Sequence, residues 1–340
     1  MKKCAFIVPY FGKFKNYFQL FLNSCSKNTD YTWLIITDNT DHYHYPSNVK
    51  KITMTFDKLV ELIQSKFDFE ITLDKPYKLC DFRPAYGYIF SDLIKGYDWW
   101  GHCDTDTIMG DLNHFITDEM LRNYDKLFCL GHFIMYKNTV QNNELFKQKV
   151  NGKLWYKHSF TTNKPTNFDE VWGNNTNINE IFSYFSKKIY ERDLSLNFNP
   201  EKLSKFVKQT YYSKNGKFLD ENHYRNKLIV WDNGKLLRYK IDSNNGLSSN
   251  EYMYVHLQNR VMDIQQGVLN PNTQLFTIIP NEFGLVNKKD LDEQFFRKIR
   301  RIQGKYYVYN TLQLDKFQAA SLLLKRKLVK LRRFTVGKDE

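Results

Sequence analysis

The sequence predicts an α/β fold: a doubly wound, mostly parallel sheet of Rossmann-like type, followed by a smaller mixed region and a basic helical tail. Three observations carry this prediction. Apolar runs of strand length alternate with segments whose apolar residues recur at helical spacing. The first strands each run out into polar residues, as strands do at the carboxyl edge of an open α/β sheet. Past residue 150 the regular alternation gives way to shorter strands and turns, and from residue 288 to a basic segment, so the chain divides at 1–150, 151–287 and 288–340.

The elements follow in order. Residues 5–8 are apolar and enter a turn at Pro9-Tyr10-Phe11-Gly12. Phe14, Tyr17, Phe18, Phe21, Leu22 and Cys25 lie at the spacing of one helix face. Residues 32–37 form a buried strand with Asp38-Asn39 just past its end, and residues 49–53 a weaker third strand. Phe56, Leu59, Val60 and Ile63 mark the next helix. Asp81-Phe82-Arg83-Pro84 reads as a helix start with Pro84 in the first turn; Tyr86, Ile89, Phe90, Leu93 and Ile94 form the buried face and Gly96 ends it. A strand through Trp99-Trp100 comes next, then a helix opening at Thr117 and a strand over 126–130. In a doubly wound sheet the loops after Val8, Thr37 and His102 open on one edge. That gathers Pro9-Tyr10, Asp38-Asn39 and Asp104-Thr105-Asp106 around one crevice.

The stretch Asp98-Trp99-Trp100-Gly101-His102-Cys103-Asp104-Thr105-Asp106 anchors the functional reading. It begins in residues that want burial and ends in two carboxylates one residue apart. Carboxylate oxygens suit a hard cation such as Mg²⁺ or Mn²⁺, which can bridge to phosphate oxygens. Asp-x-Asp alone is more often a solvated turn, and the Trp-rich strand before it favours the metal reading. No Gly-x-Gly-x-x-Gly follows the first strand and no Gly-Lys-Ser/Thr is present, so a glycine-rich phosphate loop is not supported.

In the second half, residues 216–220, 228–231 and 236–241 read as strands, with Asp232-Asn233-Gly234 as a hairpin signal. Residues 252–257 form a strand carrying His256, and 275–279 read as the last strand. From Leu291 the pattern is helical and basic. Of the net charge of +13, +9 lies in residues 288–340, with 15 Lys/Arg against 6 Asp/Glu. That asymmetry points to an anionic surface as partner. The five cysteines are odd in number and contain no Cys-x-x-Cys, which argues for free thiols in a reducing compartment. No apolar run reaches the ~20 residues that cross a bilayer, and the N-terminus reads as a first strand, not a signal peptide.

Lys78-Leu79-Cys80-Asp81-Phe82-Arg83-Pro84, Gly101-His102-Cys103-Asp104-Thr105-Asp106 and Gly110-Asp111-Leu112 resemble bacterial GT-A glycosyltransferases of capsule and O-antigen biosynthesis. Phe6-Ile7-Val8-Pro9-Tyr10-Phe11-Gly12 and Gly131-His132-Phe133 fit the same group, and Phe168-Asp169-Glu170 and Val255-His256-Leu257-Gln258 extend the likeness. The resemblance implies a GT-A-like fold in which 1–150 binds a nucleotide-sugar and 151–287 completes the acceptor side. It implies Mn²⁺ or Mg²⁺ on Asp106, Asp104 and His256. Pro9, Tyr10 and Asp38 would hold the uracil and ribose of a UDP-sugar, with Asp104 available to the ribose. Lys78, Asp81 and Arg83 would meet the donor sugar and diphosphate, where a guanidinium can pair with phosphate through two bonds. Asp169 and Glu170 would supply the base of an inverting transfer. The implied donor sugar is a hexose, galactose or galactofuranose, and the implied acceptor is a lipid-linked polysaccharide unit. The implied location is the cytoplasmic face of the plasma membrane, held peripherally by the 288–340 tail.

Other readings stand beside these. The Asp pair could serve a metal-dependent phosphotransferase or nucleotide hydrolase, and the chain could be a non-catalytic membrane-associated scaffold of polysaccharide assembly. His256 reads equally as a satisfied core histidine, and Asp169-Glu170 as a solvated pair. Asp81 could cap its helix. His132 reads as structural or acceptor-side as readily as catalytic. His42 and His44 have His-x-His spacing in a loop and are not expected to bind metal. No recognition helix or aromatic RNA-binding signature supports a nucleic-acid partner.

Overall fold

Side chains of β1 (Cys4–Pro9) alternate between two cores, and this organises the sheet around it. Cys4, Phe6 and Val8 join one apolar cluster; Ala5 and Ile7 join another. The neighbouring strands alternate in step. Trp33 and Ile35 of β2 (Tyr31–Thr37) lie with Phe6, while Leu34 and Ile36 lie with Ile7. A sheet buried on both faces needs near-continuous apolar strands, which is why residues 4–8 and 31–37 show no polar alternation. The computed structural model describes residues 4–171, 175–224, 227–241, 247–292, 294–296, 299 and 312. Most of the basic tail expected at 288–340 lies outside these residues.

The chain forms two compact units. The first holds the described residues up to Ser195 together with Tyr211–Lys217 and Met253–His256; the second holds Leu196–Thr210, Phe218–Tyr252 and the described residues from Leu257 on. The first unit is built on a seven-stranded sheet. Its other strands are β3 (Val49–Thr53), β4 (Trp99–Cys103), β6 (Lys126–Leu127), β7 (Phe133–Lys137) and β8 (Ile189–Tyr190), while β5 (Thr107–Met109) lies outside it. The order is β3-β2-β1-β4-β7-β6-β8. Strands β3, β2, β1 and β4 run parallel, whereas β7 is antiparallel to both β4 and β6. The sheet is thus mixed where a mostly parallel one was expected. The chain returns from β6 to β7 through a short turn, which permits only antiparallel pairing. Strand order reverses between β1 and β4, so the carboxyl ends of these two strands form the switch-point crevice of the sheet.

Helix α1 (Phe18–Cys25) packs its apolar stripe on the Phe6 face, and α2 (Phe56–Gln64) packs Leu59 and Ile63 on the Ile7 face. Thr55 caps α2 and Thr117 caps the helix Asp118–Asn123, each accepting a bond from a backbone N–H three residues on. The expected helix at Asp81-Pro84 differs. Residues Pro76–Ala85 form a 3₁₀ helix with Pro76 in the first turn, followed by one α-turn, Tyr86–Ile89. Pro84 has no N–H to give Cys80 an α-type bond, which keeps this segment out of α geometry. The chain leaves the helix at Ile89, so Leu93, expected on its buried face, is exposed. The strand expected over 126–130 stops at Leu127, because Phe128 takes a left-handed φ of 69°.

The second unit contains a six-stranded sheet in the order Leu247–Tyr252, Lys235–Ile241, Lys227–Asp232, Leu275–Ile279, Glu282–Leu285, Asp263–Ile264. The hairpin at Asn233-Gly234 has positive φ at both residues, 45° and 98°, the signature of a type I′ turn. Leu275–Ile279, expected to be the last strand, is followed by a further one, Glu282–Leu285.

Gly101 sits where β4 meets β7. A Cβ there would lie 2.5 Å from the carbonyl oxygen of Ile134 and 3.0 Å from the Phe6 ring. Gly101→Ala should therefore cost at least about 1–3 kcal/mol in urea unfolding, as for other overpacked cores.

Candidate active site

The carboxylates at the end of β4 are fixed by a short turn. The backbone N–H of Asp104 donates to the His132 carbonyl at 3.0 Å. The Thr107 hydroxyl donates back to the Asp104 carbonyl at 2.7 Å, closing Asp104-Thr107 before β5 begins. β5 then pairs antiparallel with the strand Tyr254–His256, and this register sets His256 opposite Thr107. The result is a cluster drawn from distant sequence. His256 Nε2 stands 3.4 Å from Asp106 Oδ1 and 3.7 Å from Asp104 Oδ2. One ligand atom from each of the three residues lies within 4.8 Å of the others. Two carboxylate oxygens and an imidazole nitrogen fit Mn²⁺ or Mg²⁺, with Mn²⁺ the better match to the nitrogen.

Arg83 joins this cluster to a second acidic pair. Its Nη2 donates to Asp104 Oδ1 at 2.5 Å, and its Nη1 donates to Asp169 Oδ2 at 3.0 Å and to the Gly131 carbonyl at 2.8 Å. The Gly131 N–H donates to Glu170 Oε2 at 3.2 Å. A Cβ at 131 would come within 2.8 Å of Asp169 Oδ2 and 3.0 Å of Glu170 Oε2, so a side chain there would have to displace these carboxylates.

Lys78 and Asp81 are placed differently from Arg83. Both are fully buried, and Lys78 Nζ donates to Asp81 Oδ2 at 2.5 Å and to the Lys164 carbonyl at 2.8 Å. Asp81 accepts from the backbone N–H of Thr166 at 2.9 Å and of Phe168 at 3.0 Å. This buried pair holds the loop that carries Asp169 and Glu170. Pro9 closes β1, and the Tyr10 N–H continues the ladder to Ile36 at 2.9 Å. The Tyr10 ring lies half-buried on Phe14, with centroids 4.5 Å apart. Asp38 accepts from the Gly12 N–H at 2.9 Å and ties the loop after β1 to the loop after β2.

Burial and neighbouring charge both shift the protonation equilibria here. Burial pulls the His256 imidazole down, but Asp106, by charge and hydrogen bond, and then Asp104 and Glu170 more than offset this and leave its pKa above the usual value. Burial pushes the Asp169 carboxyl up; Arg83 opposes this, and Glu170 and Asp81 add to it. Glu170 is raised too, again by burial first, against Arg83 and the Gly131 N–H. Tyr10 is raised by burial and then by the charge of Asp106.

The structure thus brings Asp104, Asp106, His256, Arg83, Asp169 and Glu170 together. Gly131 and Tyr254 went unmarked in the sequence as site residues. Gly131 acts through its backbone, which leaves only the glycine itself as a signal. Tyr254 donates no site atom of its own, but its hydroxyl meets His132 Nδ1 at 2.8 Å.

Residues 6–287 match the sequence model of a family described as a family of unknown function (DUF6625). No curated protein sequence matches the chain. Among solved structures, the chain is similar to the galactosyltransferase LgtC in complex with donor and acceptor sugar analogues. The identity is 9% over 57% of this chain and 75% of that one, with a TM-score of 0.33. An active-site mutant of LgtC gives 9% identity over 57% and 74%, with a TM-score of 0.30. Likenesses of this size do not by themselves assign a fold or an activity.

The raised His256 pKa sets a pH dependence for the metal-free protein. A group whose folded pKa exceeds its unfolded value, about 6.5 for His, contributes stability fully below that pH and loses it as pH rises through the folded value. The difference in unfolding free energy between the wild type and His256→Gln in EDTA should therefore shrink from pH 6 to pH 9. Mn²⁺ affinity should move the opposite way and rise with pH, because a ligating imidazole must be neutral.

Proposed function

We propose a function for this chain, which belongs to the DUF6625 family of unknown function: it is a metal-dependent glycosyltransferase that uses a UDP-sugar. The observation that carries the reading is the Asp104–Asp106–His256 cluster at the carboxyl edge of β4, joined by Arg83 to the carboxylates of Asp169 and Glu170. A cation site beside a second acidic pair supplies what transfer from a nucleoside diphosphate needs. The resemblance of the Asp81-to-Pro84 and Asp104-to-Asp106 motifs to GT-A enzymes supports the same reading.

Asp104, Asp106 and His256 would hold Mn²⁺ or Mg²⁺, which when bound offsets the charge of the departing diphosphate. Arg83 is the phosphate partner, since its guanidinium already lies against Asp104 and carries a charge that burial among acids does not remove. Tyr10, half-buried at the end of β1, offers a ring face to the uracil, and Asp38 lies on the adjoining loop for the ribose. Lys78 and Asp81 serve the donor indirectly, by fixing the 164–170 loop.

Glu170 is the better base of the acidic pair. Asp169 is bound to Arg83 and wholly buried, whereas Glu170 is held through one oxygen by the Gly131 N–H. A raised pKa suits a base working near neutral pH. In the inverting transfer, the acceptor hydroxyl gives its proton to Glu170 as its oxygen bonds to the anomeric carbon. The bond from that carbon to the diphosphate breaks and the electron pair leaves with UDP. The acceptor is a sugar of a lipid-linked surface polysaccharide, and the donor sugar a hexose, galactose or galactofuranose. The basic segment 288–340 would hold the enzyme at an anionic membrane surface. Among the described residues, no helix is long and apolar enough to cross a membrane.

Calorimetric titration of UDP tests the site directly. Binding should require Mn²⁺, vanish in EDTA and vanish in Asp106→Asn. UDP binding that ignores the metal would refute the reading.

Glu170→Gln separates chemistry from binding. It should keep UDP affinity while transfer falls by about 10²–10⁴-fold, the usual contribution of a general base. An unchanged turnover rate would remove Glu170 from the mechanism.

A further inference from the structure

His132 has no part in the transfer outlined above, yet it is buried against the cation site. Its ring packs on that of His256 in a tilted contact, with centroids 4.2 Å apart and planes 33° from parallel. Its carbonyl receives the Asp104 N–H. Its Nδ1 lies 2.8 Å from the Tyr254 hydroxyl, while its Nε2 is buried with no hydrogen-bond partner.

The Tyr254 contact continues inward. Tyr254 also hydrogen-bonds the Ser195 side chain. The Ser195 hydroxyl donates to Asp193 Oδ1 at 2.6 Å, and the Ser195 N–H donates to the same oxygen at 2.9 Å. Ser195 gives its proton to Asp193, whose carboxylate can only accept. The row from Asp193 through Ser195 and Tyr254 fixes the plane of the His132 ring. Tyr254 and His256 are two apart on one strand and share a face, so the residue that holds His132 is covalently in register with the residue His132 packs on.

We propose that His132 is a positioning residue for the cation site. It rests on the His256 imidazole as a rigid plate, itself held by Tyr254, Ser195 and Asp193, and keeps His256 Nε2 turned toward Asp104 and Asp106. Outer partners that orient a ligating histidine usually bond its second nitrogen. A ring packed on the imidazole, with its own nitrogen tied down, restrains the ligand's plane as well. The inference rests on the proposed cation site.

The test titrates Mn²⁺ alone into the full chain and records the visible spectrum of the Co²⁺-substituted protein. His132→Ala should weaken Mn²⁺ by about 10–100-fold, the range for partners that orient a ligand, and should alter the Co²⁺ bands. His132→Phe keeps a ring on His256 and should recover most of the affinity. Tyr254→Phe should weaken Mn²⁺ by about 10-fold, with no further loss when combined with His132→Ala. Melting temperatures in EDTA identify any variant that fails to fold, and Tyr254→Phe, which removes one oxygen, keeps the test usable if His132→Ala does not fold. Wild-type affinity and spectrum in His132→Ala and Tyr254→Phe would overturn the inference and leave the cation site standing. Equal losses in His132→Ala and His132→Phe would overturn the ring-packing role. A wild type that binds no Mn²⁺ would overturn both this inference and the proposed cation site.

Discussion

The Arg83 guanidinium between Asp104 and Asp169 is the interaction on which the site depends. It ties the carboxyl edge of β4 to a loop more than sixty residues further along the chain. Without it, the carboxylates of Asp104, Asp106, Asp169 and Glu170 would lose the guanidinium that stands among them. Two like charges 4 Å apart repel by about 4 kcal/mol at an effective dielectric constant of 20, so such a cluster cannot persist fully ionised. Arg83 removes part of that repulsion permanently. The pKa values of His256, Asp169 and Glu170 all stand above the ordinary value, for different reasons: burial comes first for Asp169 and Glu170, and the surrounding carboxylates raise His256. In the proposed enzyme a divalent cation would take up the charge of Asp104 and Asp106, and Arg83 would then be free to turn toward phosphate.

Much of the first unit was legible because its signals are local. The apolar runs at 5–8 and 32–37 became strands buried on both faces; of the helix face expected from Phe14 on, the helix covers Phe18 to Cys25, and Phe14 and Tyr17 are buried ahead of it. The Asp-x-Asp pair falls just past a buried strand, at the strand-order reversal where α/β sheets bind ligands. His256 was legible only through the family resemblance. Its place beside Asp106 comes from the pairing of Tyr254–His256 with Thr107–Met109, and no local pattern encodes pairing across so long a separation. Tyr254 is one of 23 tyrosines, and nothing in its neighbours marks the one that holds a histidine. Strand β7 (Phe133–Lys137) escaped altogether: the sequence pattern shows one strand over 126–130 and does not separate the antiparallel strand that follows the turn.

Lys78, Asp81 and Arg83 show how one short motif can carry both a buried pair and a residue of the carboxylate cluster. Residues three apart eclipse on a 3₁₀ helix, so Lys78 and Asp81 lie in one row and pair within the core. Arg83 falls on another row and reaches the site. One short helix therefore presents a structural face and a functional face. A run of ten residues in 3₁₀ geometry is unusually long, and its bonds are poorer than those of an α-helix. The Lys78–Asp81 pair and the backbone bonds to Thr166 and Phe168 offset that cost. They do so by anchoring the loop that ends in Asp169 and Glu170. The segment that delivers Arg83 to the cation cluster thus also determines where the second acidic pair must stand, which is how two groups of carboxylates far apart in sequence come to share one guanidinium.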